Sequence, residues 1–150
     1  MKPILRAGLI VGTLDILAAC LHYYLKTHNN PVAVLYYVAS GVFGDDAYSG
    51  GSQMALWGLL FHYIIAFAFT VLFFLLFRSS TFIRHLGILF SVIYGAFMWS
   101  VTQFIVIPLS NISSLAPLNF PNVALSIGIL IVCISIPLFY LAKKAYRIKT

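Results

Sequence analysis

Apolar runs about twenty residues long alternate with short polar connections along this chain. The first run extends from about Ile4 to Leu25 and carries Asp15 and His22 in its interior. The second extends from about Ser52 to Phe77 without a Lys, Arg, Asp or Glu. From His85 to Ala142 there is again no Lys, Arg, Asp or Glu, but Pro108, Pro117 and Pro121 break that stretch in two. Proline removes a backbone donor and fixes φ, so Pro108 ends one helix and Pro121 fits the first turn of the next. A helix crosses a bilayer core of roughly 30 Å with about 20 apolar residues. The pattern therefore predicts four membrane spans, over about 4–25, 52–77, 82–107 and 122–142, in one all-α transmembrane domain covering 1–150. The connection after the first span has its own apolar stretch. Asn30-Pro31 is a helix-start signal, and the residues after it, to about 43, are too few to span. They predict a re-entrant or interfacial half-helix over 31–43.

Composition narrows the class. The 150 residues are 62% hydrophobic and 8% charged, with a mean hydropathy of +1.02. A soluble domain carries roughly 25% charged residues and cannot hide this much apolar surface at this size. Soluble enzymes, disordered chains, disulfide-rich secreted domains and nucleic-acid-binding modules are excluded on that ground. The net charge of +6 is a matter of topology. Lys2 and Arg6, then Arg78 and Arg84, then Lys143, Lys144, Arg147 and Lys149 occupy three segments that an even number of spans puts on one side. Lys26 alone falls on the other. Basic residues favour the cytoplasmic side, so both termini are expected there. The basic C-terminal tail is expected to meet anionic lipid. The N-terminal run continues too far for a cleaved signal peptide and is read as an uncleaved first helix. Cys20 and Cys133 lie inside apolar runs and fit no metal spacing.

The remaining polar residues are few enough to take singly. Asp15 is the one acidic residue within a span. On a helical wheel it shares a face with Gly8, Gly12, Ala19 and His22, a small-residue packing face, so it is expected to point into the bundle. Gly58 and His62 lie on a similar stripe of the second span. Asp15 and His62 each lie ten residues, about 15 Å, from the same end of their helices, and are expected to face each other near the midplane. Such a pair suits a proton relay or ion site, or else a hydrogen bond that locks two helices. His22 and Gln103 are possible extensions of the polar centre. Gly87, Ser91 and Gly95 form another small-residue ladder, on the third span. These ladders predict close helix packing, within or between protomers, and a second copy or another membrane protein is the expected partner. No catalytic motif and no metal site is apparent, and no cofactor is expected. A haem held by His62 and its copy across a two-fold axis stays open.

Four segments are familiar as a set: GTLD at Gly12–Asp15, ASGVFGDDAYSGG at Ala39–Gly51, GLLFHYIIAF at Gly58–Phe67 and YGAFMWSVTQFIVIPLS at Tyr94–Ser110. Together they resemble small four-helix bacterial inner-membrane proteins, the YagU-like proteins and their relatives. The resemblance covers roughly the first two-thirds of the chain. It implies a four-helix fold and a cytoplasmic-membrane location, and it brings no biochemical activity with it. Two functions are therefore expected. One is an oligomeric channel or transporter-like protein with Asp15 and His62 at a polar centre. The other is a structural or accessory subunit in which the same residues only pack.

Overall fold

The four apolar runs form four helices long and apolar enough to cross a membrane, over Lys2–Thr27, Gly51–Ser79, Ile88–Val106 and Phe120–Ala145. The computed structural model describes residues 2–113 and 119–146. The expectations for Pro117, and for Arg147 and Lys149 of the tail, fall outside them. Every regular element among the described residues is helical. In chain order these are α1 (Lys2–Thr27), α2 (Ala33–Phe43), a 3-10 turn (Gly44–Tyr48), α3 (Gly51–Ser79), α4 (Thr81–Leu86), α5 (Ile88–Val101), α6 (Phe120–Leu130) and α7 (Ile136–Ala145). A π-helical turn, Thr102–Val106, continues α5, and another, Ile131–Ser135, joins α6 to α7.

Consecutive spans run in opposite directions, as contacts at the two ends of the bundle show. At one end the Phe77 ring, late in α3, stacks on Tyr146 just after α7, with centroids 6.3 Å apart. At the other, Lys26 Nζ donates to Asn122 Oδ1 at 3.1 Å, joining the end of α1 to the start of α6. The first end gathers Lys2, Arg6, Arg78, Arg84, Lys143 and Lys144, and is called the basic end below. The second, the loop end, holds Lys26, α2 and the exposed Asp45 and Asp46.

The half-helix forms where Asn30-Pro31 signalled it. Asn30 Oδ1 accepts the Val32 N–H at 3.0 Å, and regular helix begins at Ala33. α2 packs chiefly against the first half of α3. The approach is so close that a Cβ at Gly58 would run into the Leu35 carbonyl. Asn111 holds the far end of α2, its backbone N–H donating to the Gly41 carbonyl at 3.0 Å and its Nδ2 to the Val42 carbonyl at 2.8 Å.

The third span departs from the expectation of one helix over 82–107. Gly87 sits at φ 58° and ψ −129°, a conformation that side chains with a Cβ avoid. It separates the short α4 from α5, so the spanning part starts at Ile88. Gly87 therefore breaks a helix and is no packing position: a Cβ there would meet nothing within 4 Å. The rest of that ladder does pack. Ser91 is buried, and a Cβ at Gly95 would lie 2.5 Å from Ile131 Cγ1 on the fourth span. Gly8 and Gly12 seat α1 against the Phe67 and Tyr63 rings of α3.

Packing is uneven along the bundle axis. The half toward the basic end holds the core, where Phe73, Phe77, Phe90, Tyr94, Phe139, Leu138 and Ala142 pack with Ala7 and Val11. Tyr94 is buried there and its hydroxyl donates to the Phe69 carbonyl at 2.6 Å. The half toward the loop end is hollow. Large apolar side chains on the outer faces of the spans, such as Leu9, Leu17, Leu21, Leu60, Ile64 and Leu75, are exposed as a lipid-facing surface requires.

Candidate functional site

The hollow half contains a cavity of about 200 Å³ reached by all four spans and by α2. α1 contributes Asp15 and α2 contributes Val38. α3 contributes His62, Ile65, Ala66 and Phe69, the third span Met98, Trp99, Thr102 and Gln103, and the fourth Leu130 and Ile134. The wall is mostly apolar, with four polar side chains on it: Asp15, His62, Thr102 and Gln103.

His62 is oriented by the helix beside it. Its Nε2 lies 2.8 Å from the Gly12 carbonyl oxygen. A carbonyl can only accept, so Nε2 carries the proton in this contact. The bond depends on Gly12, because only a residue without a side chain lets α3 come this close to α1. Thr13 Oγ1 and the Tyr63 hydroxyl, 2.7 Å apart, tie the same two helices together alongside.

Asp15 lies one turn further along α1 and is half-buried. It is within electrostatic reach of His62 and of Cys133 on the fourth span. The described residues place no direct hydrogen-bond donor on its carboxylate. Asp15 and His62 thus share a cavity wall without the direct bond expected of a pair that locks two helices. His62 does lock the helices, but through the Gly12 backbone.

Gln103 and Thr102 enter the wall through a backbone irregularity. The Ile107 N–H donates to the Thr102 carbonyl at 2.9 Å, an i to i−5 bond, immediately before Pro108. On the fourth span the Ile136 N–H donates to the Ile131 carbonyl in the same register, immediately before Pro137. A proline ring collides with the carbonyl four residues earlier, and one wide π turn ahead of it relieves that collision. Both wide turns open beside the cavity and supply Thr102, Gln103 and Ile134 to its wall. The Ile-Pro repeat at 107–108 and 136–137 was the available signal. Periodicity alone passes over Pro137, since it lies inside an unbroken apolar run. Val38, Phe69, Met98 and Trp99 were also missed, because an apolar side chain on a cavity wall has the same sequence pattern as one in a packed core.

His22 does not line the cavity. It stands seven residues beyond Asp15, about 10 Å along α1 toward the loop end. Among the described residues no three His, Cys, Asp or Glu side chains converge as metal ligands would. His62 faces its own protomer's cavity with Nε2 engaged, so a haem shared between two copies would require that ring to turn outward.

A second cavity, about 190 Å³, lies beneath α2 between Tyr37, Val42, Phe61, Val106 and Ile107. It shares Val38, Ile65 and Thr102 with the first. Burial pushes the pKa of the Tyr37 hydroxyl above its ordinary value, and nearby Tyr48 adds to the shift. The hydroxyl therefore stays neutral, and among the described residues no charged side chain lines this cavity.

Compared with known protein families, curated proteins and solved structures, the chain matches none. Its function has to be argued from the site.

Proposed function

We propose that this multi-pass membrane protein is transporter- or channel-like and passes protons or monovalent cations through a protonatable centre at Asp15 and His62. One observation carries the reading. The acid that is costly to hold at mid-membrane lines a cavity, and no group among the described residues hydrogen-bonds its carboxylate. Intramembrane carboxylates that face a cavity mark ion and proton pathways. Among the described residues, the titratable groups within electrostatic reach of Asp15 are His62, which shares the cavity wall, and Cys133 on the fourth span, which does not line it. α2 and the third span present Val38, Thr102 and Gln103, which do not titrate. The charge asymmetry between the two ends supports a location in a bacterial cytoplasmic membrane, with both termini inside. Kinship with the YagU-like proteins remains part of this proposal, on the four segments quoted above. So does assembly with a second copy or another membrane protein.

The alternative, an accessory subunit in which these residues only pack, draws on the His62–Gly12 bond. Purified protein in liposomes, under an imposed membrane potential and with a pH-sensitive dye inside, separates the two. Transport predicts flux above that of empty liposomes that changes with pH and is lost in Asp15→Asn, with the variant still folded. Wild-type flux no greater than that of empty liposomes overturns the transport reading and leaves the packing one.

A further inference from the structure

The carboxylate of Asp15 needs a positive counterpart when ionised, because an isolated charge is expensive in a low-dielectric interior. The middle of the bundle offers none: within the four spans Lys and Arg stand only near the ends, at Lys2, Arg6, Lys26, Arg78, Lys143 and Lys144. His62 is the nearest candidate, but its Nε2–H is held by the Gly12 carbonyl. The cavity is also far larger than a proton requires. At about 200 Å³ it holds a small organic group, although it falls short of the roughly 300–1,000 Å³ sites that take drug-sized ligands. A bare metal cation suits it poorly, because hard cations demand about six or more oxygen ligands and this wall is mostly Ile, Leu, Phe, Met and Trp. A cation that brings its own apolar surface fits both the charge and the wall. The rings of Trp99 and Phe69 line the same space, and aromatic faces attract ammonium groups, most strongly when water is excluded.

The second cavity extends this match. It adjoins the first at Val38, Ile65 and Thr102, has a similar volume and, among the described residues, carries no charged side chain. Toward the basic end the first cavity is backed by the packed Phe73, Phe90, Tyr94 and Phe139 cluster. The loop end, by contrast, bears exposed Asp45 and Asp46. Its basic side chain, Lys26, is hydrogen-bonded to Asn122.

We infer that the two cavities form one bipartite site for a small lipophilic ammonium ion, entered from the loop end, with the nitrogen at Asp15 and the apolar substituent beneath α2. The inference rests on the cavity at Asp15 and His62 being the working site proposed above, and it names the cargo class. Thr102, on both walls, marks the junction between the charged and apolar compartments.

The test uses Trp99 as reporter. The chain has two tryptophans, so Trp57→Phe leaves Trp99 as the sole emitter. In zwitterionic nanodiscs its fluorescence is titrated with hexylammonium, methylammonium, hexanol and hexanoate. Hexylammonium is expected to bind saturably, at least tenfold tighter than either methylammonium or hexanol, and hexanoate not at all. Asp15→Asn should weaken hexylammonium at least tenfold and leave hexanol unchanged, whereas Asp15→Glu should retain the preference for the cation. Val106→Phe, which fills the second cavity, should lower affinity for hexylammonium and spare methylammonium. Equal affinity for hexanol and hexylammonium, or an Asp15→Asn titration identical to wild type, overturns the inference. Proton flux without ammonium binding overturns this inference and leaves the transport reading standing. Ammonium binding without flux of any ion does the reverse.

Discussion

His62 and Asp15 line the same cavity but make different contacts. The imidazole makes the contact between helices, donating to a backbone carbonyl at 2.8 Å. Hydrogen bonds between membrane helices average about 0.6 kcal/mol and reach about 1.7 kcal/mol. His62→Phe should therefore destabilise by about that amount, read as a shift in the unfolding midpoint in a mixed-micelle titration; no shift would show that the bond contributes nothing. Asp15 behaves differently. If it bonded directly to His62, Asp15→Leu would strand the imidazole and cost roughly 1–3 kcal/mol. With His62 on Gly12 instead, Asp15→Leu removes a carboxylate that burial disfavours, and stability should stay level or rise. A loss of 2 kcal/mol or more would mean that the carboxylate has a structural partner after all.

At the scale of elements, local backbone chemistry shapes the third and fourth spans. Gly87 holds a positive φ between α4 and α5, so Gly87→Ala should cost about 1–3 kcal/mol, although its side chain would meet open space. A neutral result in the same unfolding assay would show that α4 and α5 can merge. Pro137 is less obvious. It forces the wide turn at Ile131–Ser135, and that turn delivers Ile134 to the cavity wall. Pro137→Ala should restore a regular i to i−4 register and rotate the residues before it. Stability should change little, while hexylammonium titrated against Trp99 should lose affinity at least threefold. An unchanged titration would separate the π turn from the site. Gly58, against the Leu35 carbonyl, is the equivalent control for α2: Gly58→Leu should displace the half-helix and open the second cavity.

The whole molecule is a bundle that is packed at one end and hollow at the other, with its charge divided the same way. Six described basic side chains cluster at the packed end, while Asp45 and Asp46 lie at the hollow one. If the basic end faces the cytoplasm, a membrane-impermeant maleimide applied to intact cells should label Ser49→Cys and leave Ser79→Cys unlabelled. The background for both would be Cys20→Ala with Cys133→Ala. The opposite pattern would invert the orientation. A protein sealed at its basic end and hollow at the other should also admit solutes from the loop end first. Hexylammonium added outside oriented vesicles should therefore quench Trp99 faster when the loop end faces out.

Span number, the half-helix after Asn30-Pro31 and the inward face of α1 were legible in the sequence. Each follows from periodicity, from run length or from the two prolines and asparagines that start helices, all of which are local properties. That Asp15 and His62 line one cavity agrees with the similar level along the bundle that helical rise assigns them, since rise converts residue number into distance. Their relation was not legible. Whether His62 bonds Asp15 or the Gly12 carbonyl depends on how closely two helices approach, and Gly12, Tyr63 and Ala66 set that together. The break at Gly87 could be suspected only once its φ was known, because glycine serves close packing and helix breaking equally well. The cavity itself belongs wholly to the tertiary structure. Empty space is defined by where side chains of five helices fail to meet, and the same Ile, Leu, Phe and Met residues would have filled a solid core had the two π turns not opened beside them.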